Sequence, residues 1–227
     1  MLRKRIATAL ALAMLAVGTI LLMPFWVFAL VFGIAAASGG YEWSGFLSTK
    51  HMGIRVAYSL GLVIAGLIIM PLQWLYLPLV QVACVVWLAA FAATLIFPKG
   101  KSLYGNPWVV GALGWVLLLA AWVSLLSIRQ HELGGYWLVW MLLLTTAADA
   151  GAYLVGRRLG KRLLAPSLSP GKTWEGALGG LATALIVCVT TLLLWQSFSW
   201  QLAFLMTASL VAVAIIGDLF ESFWCVL

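Results

Sequence analysis

Long apolar stretches alternate with short polar breaks along the whole chain. The runs fall at about residues 6–39, 54–70, 74–97, 107–127, 136–156, 175–195 and 200–217. An α-helix rises 1.5 Å per residue, so roughly 20 residues cross the ~30 Å hydrocarbon core of a bilayer. Six of the runs each suit one span. The first is too long for one untilted helix, and Pro24 sits in its middle, where it removes a helix hydrogen bond. That run reads as one long kinked helix or as two short ones.

Composition narrows the class. Hydrophobic residues make up 65% of the 227 positions and charged residues 8%, against about 25% charged in a soluble domain. So few charges cannot cover a water-soluble globule, which excludes a soluble enzyme, a disordered chain and a disulfide scaffold. The prediction is an all-α polytopic membrane protein.

Charge then decides the span count. If residues 6–39 form two helices and the amino terminus is inside, twelve of the thirteen basic residues share one side, and only Arg129 lies opposite. A single first helix would put Arg3, Lys4 and Arg5 across the membrane from the other nine. The positive-inside rule therefore predicts about eight spans with both ends cytoplasmic, read as one domain over 1–227. The net charge of +7 then faces an anionic membrane surface and needs no nucleic-acid partner. The basic start resembles a signal peptide, but the apolar run after it is too long, so a retained span is expected. Tyr41 and Trp43, Trp74 and Tyr76, Tyr136 and Trp137, and Trp195 and Trp200 lie near proposed span ends, as an interfacial aromatic belt would. Cys84, Cys188 and Cys225 form no C-x-x-C pair and are read as neither metal ligands nor a disulfide.

Six carboxylates carry most of the candidate chemistry: Glu42, Glu132, Asp149, Glu175, Asp218 and Glu221. Glu132 lies beside His131 in a proposed outer loop and is read as solvated. Asp149 follows a largely apolar stretch, and a charge there is costly unless it is paired or faces a wet cavity. Either it closes the helix by pairing with Arg157 or Arg158, or it belongs to a site. Residues 166–175 read Pro-Ser-Leu-Ser-Pro-Gly-Lys-Thr-Trp-Glu. Ser169 could cap the following helix with Pro170 in its first turn, leaving Lys172, Thr173 and unpaired N–H groups at a positive helix end, an anion site. Gly-Lys-Thr lacks the spacing and the preceding strand of a phosphate loop, so that motif is rejected. The alternative is a basic loop with an ordinary cap. Asp218 and Glu221 are three apart and share a helix face. They could hold Mg²⁺, which accepts hard oxygens and completes its shell with substrate phosphate, or they could simply end a helix in polar residues. Span parity puts all three clusters on the cytoplasmic side, which suits metal-assisted chemistry on phosphates.

The run Asp149-Ala150-Gly151-Ala152-Tyr153, followed by Gly156, Gly160-Lys161, Leu164-Ala165-Pro166, Ser169 through Gly176 and Gly179-Gly180, closely resembles the phosphatidate cytidylyltransferase (CDP-diacylglycerol synthase) family. Gly217-Asp218-Leu219-Phe220-Glu221-Ser222 resembles that family's next polar motif, and Glu42-Trp43 resembles an earlier position. The resemblance is specific over 145–222 and weak before it. It implies an enzyme of the bacterial inner membrane, active at the cytoplasmic face, that joins CTP to phosphatidic acid and releases pyrophosphate. It also implies Mg²⁺, with a second cation as a further candidate. Ser169, Lys172 and Thr173 would line the nucleotide and phosphate site, with Asp149 and Ser222 beside it. Lys172 and Asp218 would be the catalytic pair, and Asp218 with Glu221 the metal ligands. Membrane lipids and a second copy of the chain are the other candidate partners.

The resemblance stops after Ser222. Family members continue through P-G-H-G-G and D-R-x-D segments, the latter carrying a second metal-binding Asp, whereas this chain reads Phe223-Trp224-Cys225-Val226-Leu227. The expectation is therefore a truncated or frameshifted member, with little or no activity in the polypeptide as it stands. Two other classes fit the composition. One is an ion or solute transporter using Asp149 and Asp218 as intramembrane ligands; the other is an inactive relative that only binds nucleotide or lipid.

Overall fold

The computed structural model describes residues 2–47, 51–95, 106–166, 169–194 and 199–226, with the side chains of all but 2–10, 93–95, Pro170, Glu221 and 223–226. Eight long helices follow one another among these residues. They are α1 (Leu2–Leu22), α2 (Phe25–Trp43), α3 (Met52–Ile69), α4 (Tyr76–Leu95), α5 (Pro107–Arg129), α6 (Gly134–Leu159), α7 (Trp174–Leu194) and α8 (Trp200–Val226). A small antiparallel hairpin, β1 (Leu163–Ala165) with β2 (Ser169–Thr173), sits between α6 and α7. Seven helices, α2 to α8, are long and apolar enough to cross a membrane, and the protein is an integral membrane protein of the all-α class.

The long first run does break at Pro24, which is extended (φ −63°, ψ 156°) and precedes the first residue of α2. Lacking an N–H, proline ends α1 and costs α2 nothing at its entry. Elsewhere side chains set the helix starts. Asn106 accepts a hydrogen bond from Trp108 N at 2.9 Å, with Pro107 in the first turn of α5.

The chain divides into two compact units. Residues 1–89 and 101–139 make the first, and 90–100 and 140–227 the second. In the first unit, α2 packs on α3 and α5. Phe28, Leu62, Val123 and Leu126 are fully buried there. Trp122 lies in the same core, and its Nε1 donates to Ala29 O at 3.2 Å. The indole fits because residue 33 is glycine: a Cβ there would come within 2.6 Å of the Trp122 ring. In lipid the hydrophobic effect does not distinguish helix contact from tail contact, so close approach through small residues supplies the association.

In the second unit, α7 packs on α8. Leu144 of α6, Cys188 and Ala184 of α7 and Ala203 of α8 are fully buried between them. The Trp140 indole donates to Thr191 Oγ1 at 2.9 Å. Near the hairpin, α6 and α7 nearly touch: a Cβ on Gly156 would lie 3.4 Å from Gly176 Cα, and one on Gly176 would lie 3.3 Å from Gly156 Cα. This approach brings the carboxyl end of α6 against the amino end of α7.

Candidate active site

The site is built from the second half of α6, from β2 where it leads into α7, and from the second half of α8. The expected Ser169 cap is not the one formed. Residues 169–173 are extended and pair with β1, with Leu163 opposite Thr173 and Ala165 opposite Ser169. The helix starts later, at Trp174, and Thr173 caps it: Gly176 N donates to Thr173 Oγ1 at 3.1 Å. The reason is local. Proline and glycine at 170 and 171 give extended chain more readily than a first helical turn, and Thr173 is the last residue able to cap before the apolar run.

Glu175, in the first turn of α7, secures the hairpin. Its carboxylate accepts from Lys161 N at 3.0 Å and from Arg162 N at 3.1 and 3.3 Å. Trp174 N donates to Arg162 O at 2.9 Å. The turn after α6 is thereby fixed to the start of α7, and the strand carrying Lys172 between them has a defined position.

These elements enclose a cavity of about 480 Å³, wholly within the second unit. Asp149, Lys172, Thr173 and Asp218 all line it. They come from α6, β2 and α8, so residues nearly 70 positions apart converge. The Lys172 ammonium lies 2.6 Å from Asp218 Oδ2. It is the ion pair that Lys172 makes among the described residues, and its buried Nζ has no hydrogen bond there, so donor capacity remains for a ligand. Asp218 stays 59% exposed and open to further ligands.

The remaining sequence-identified residues lie as follows. Ser169 is partly buried at the turn end of the hairpin and does not line the cavity. Ser222 is one turn beyond Asp218 and donates to its backbone O at 2.9 Å. The side chain of Glu221 lies outside the described residues. Asp149 makes no ion pair with Arg157 or Arg158 among the described residues. The helix-end pairing considered from the sequence is therefore not formed, and the carboxylate lines the cavity.

Two polar lining residues were not assigned to the site from the sequence. Tyr153 and Arg157 stand on α6 with Asp149, and the Arg157 Nη1 donates to the Tyr153 hydroxyl at 3.0 Å. The signal was present: 149, 153 and 157 are spaced by four and share a helix face.

The donor set fits a hard cation. Asp149 and Asp218 supply carboxylate oxygen to one cavity. No group of three His, Cys, Asp or Glu side chains that could hold a metal occurs among the described residues. Asp149 and Asp218 are the lining residues that could hold a cation together with water and substrate phosphate.

A profile of the cytidylyltransferase family matches residues 3–224. A Pseudomonas aeruginosa protein named phosphatidate cytidylyltransferase is 35% identical over 98% of this chain and 83% of its own length. A Haemophilus influenzae protein of the same name is 30% identical over 98% of this chain and 85% of its own. One from Bacillus subtilis is 31% identical over 59% of this chain and 52% of its own. With the match running through both units and across the cavity, the chain belongs to the cytidylyltransferase family and is a membrane-integral, CTP-dependent nucleotidyltransferase.

Proposed function

We propose that the chain transfers the cytidylyl group of CTP to phosphatidic acid, giving CDP-diacylglycerol and pyrophosphate, at the cytoplasmic face of a bacterial inner membrane. The carrying observation is that Asp149, Lys172, Thr173 and Asp218 line one cavity formed by membrane helices and the strand between two of them. The names of two relatives that cover nearly the whole chain support the lipid substrate. The basic residues Arg157, Arg158, Lys161, Arg162 and Lys172, gathered at this end of α6 and in the hairpin, support the cytoplasmic side. A transporter would place its polar groups along a path near the bilayer midplane, whereas Lys172 and Thr173 lie outside the spans, on the strand between α6 and α7.

Phosphoryl chemistry asks the protein mainly for positioning and charge stabilisation. Asp149 and Asp218 would hold Mg²⁺, with Glu221 one turn from Asp218 as the sequence expects. The cation supplies charge neutralisation on the triphosphate when bound. Lys172 would donate to phosphate oxygens while its ion pair with Asp218 fixes its position. The Thr173 hydroxyl, on the cavity wall and hydrogen-bonded to Gly176 N, presents the amino end of α7 to negative charge. An oxygen of the lipid phosphate bonds to the α-phosphorus of CTP as the bond from that phosphorus to the bridging oxygen breaks. Pyrophosphate leaves with the bridging oxygen. The lipid phosphate is the nucleophile, so no side chain need form a covalent intermediate.

The test is equilibrium binding of CTP labelled on its α-phosphate to the purified protein in mixed micelles, with and without Mg²⁺ and phosphatidate. Saturable, Mg²⁺-dependent CTP binding is expected. Transfer of label into lipid, read in the same samples, follows the reaction itself. No specific binding at ~10 mM nucleotide, about tenfold above the usual Michaelis range, would overturn the proposal.

A further inference from the structure

Four charged side chains line the cavity: Asp149, Asp218, Lys172 and Arg157. Their formal charges cancel, but they are not equally engaged. Lys172 is paired with Asp218. Arg157 has no carboxylate partner among the described residues, and its hydrogen bond goes to the neutral hydroxyl of Tyr153. It is thus the cavity-lining cation, among the described residues, that no carboxylate neutralises.

Its direction adds a second observation. An arginine in the last turn of a membrane helix ordinarily extends toward the aqueous interface. Arg157 instead reaches back one turn to Tyr153, with its guanidinium carbon 6.0 Å from the ring centroid. Position 153 lies about 6 Å further into the span by the rise of an α-helix. Tyr153 and Leu154 beside it are 62% and 53% exposed on a helix apolar enough to cross the membrane. The guanidinium is therefore held at the lipid-side approach to the cavity, with a hydroxyl donor next to it. A planar guanidinium with several N–H groups matches phosphate oxygens two at a time, as an ammonium cannot.

We propose that Arg157, oriented by Tyr153, is the element that recognises the phosphate monoester of the lipid substrate, as distinct from the triphosphate held at Lys172 and Asp218. The inference rests on the cytidylyltransfer reading and assigns its second substrate a place. The phosphate dianion of the lipid enters beside Tyr153, exchanges the intrahelical Arg157–Tyr153 hydrogen bond for two guanidinium contacts, and accepts one from the tyrosine hydroxyl. A zwitterionic phosphodiester headgroup offers less charge and is discriminated against.

The test compares the parent protein with Arg157→Gln, Arg157→Lys and Tyr153→Phe. Binding of labelled phosphatidic acid in mixed micelles, with phosphatidylcholine as competitor, reads the lipid site, and Mg²⁺-dependent CTP binding reads the nucleotide site. Arg157→Gln is expected to weaken phosphatidic acid binding about tenfold or more, the scale of one charge-assisted hydrogen-bond pair. Arg157→Lys should recover part of the loss, and Tyr153→Phe should lose a smaller part. CTP affinity should stay within about twofold of the parent in all three, which also certifies the fold. Unchanged phosphatidic acid binding by Arg157→Gln, with the parent binding both ligands, overturns this assignment alone. Equal losses of CTP and lipid affinity overturn it too, by moving Arg157 to the triphosphate. A parent that binds neither ligand overturns both this inference and the functional reading beneath it.

Discussion

Replacing Lys172 by alanine separates a structural role from a functional one, because the two differ in size. The Lys172–Asp218 contact is short, at 2.6 Å, but Asp218 is 59% exposed and Lys172 28%. Water reaches the pair through Asp218, the Lys172 Nζ itself being covered, and partly exposed ion pairs contribute about 0–1 kcal/mol. Lys172→Ala should therefore lower Tm by no more than about 2–4 °C, the shift expected per kcal/mol for a chain of this size. Its effect on nucleotide should be larger. A hydrogen bond from a charged donor is worth about 1.5–3 kcal/mol, so Mg²⁺·CTP affinity should fall roughly 10- to 150-fold. Asp218→Asn should behave differently. It releases Lys172 from its partner, so binding of metal-free CTP should hold or improve, while the gain on adding Mg²⁺ disappears. Both variants are read by titrating labelled CTP against purified protein with Mg²⁺ or with chelator, beside thermal unfolding. If Lys172→Ala unfolds far below the parent, the pair is a structural tie. If it binds Mg²⁺·CTP like the parent, Lys172 does not meet the triphosphate.

Other outcomes follow from the hairpin and the helix ends. Thr173→Ala removes the cap of α7 and should cost about 1 kcal/mol, seen as a Tm lower by a few degrees. Glu175→Ala removes the acceptor shared by the Lys161 and Arg162 amides. Hydrogen exchange at those two amides should speed up selectively, with amides in the middle of α7 unchanged. Trp200, 46% exposed at the start of α8 and absent from the cavity wall, should accept phenylalanine with no change in CTP affinity.

The spans were legible because a membrane imposes a length, and each apolar run of that length became a helix. Pro24 and the placement of lysine and arginine were enough to divide the first run in two. Asp149, Lys172 and Asp218 were legible for a related reason: charge is rare in such a chain, so each instance needs an explanation. The hairpin was not legible. Its strands are three and five residues long, too short for an alternating pattern to show. What holds it is also non-local: a glutamate on α7 accepts from amides thirteen and fourteen residues earlier. Ser169 was overvalued for that reason, since a serine before proline reads as a cap when the strand pairing it joins cannot be seen. Arg157 was undervalued because a basic cluster after a membrane span already has an explanation in topology. Its place on the cavity wall and its hydrogen bond back to Tyr153 separate it from Arg158.

Whether CTP occupies the cavity between α6, β2 and α8 can be read by cysteine protection. Ala177 and Ala214 line it from α7 and α8, and neither is proposed to touch the phosphates. A cysteine at Glu132 (Glu132→Cys), exposed in the turn between α5 and α6 in the other unit, serves as an internal control for maleimide labelling. With Ala177→Cys or Ala214→Cys, Mg²⁺·CTP should slow labelling at the cavity cysteine and leave that at 132 unaffected. Equal labelling rates with and without Mg²⁺·CTP, at nucleotide concentrations that saturate binding, would place the nucleotide elsewhere and contradict the account.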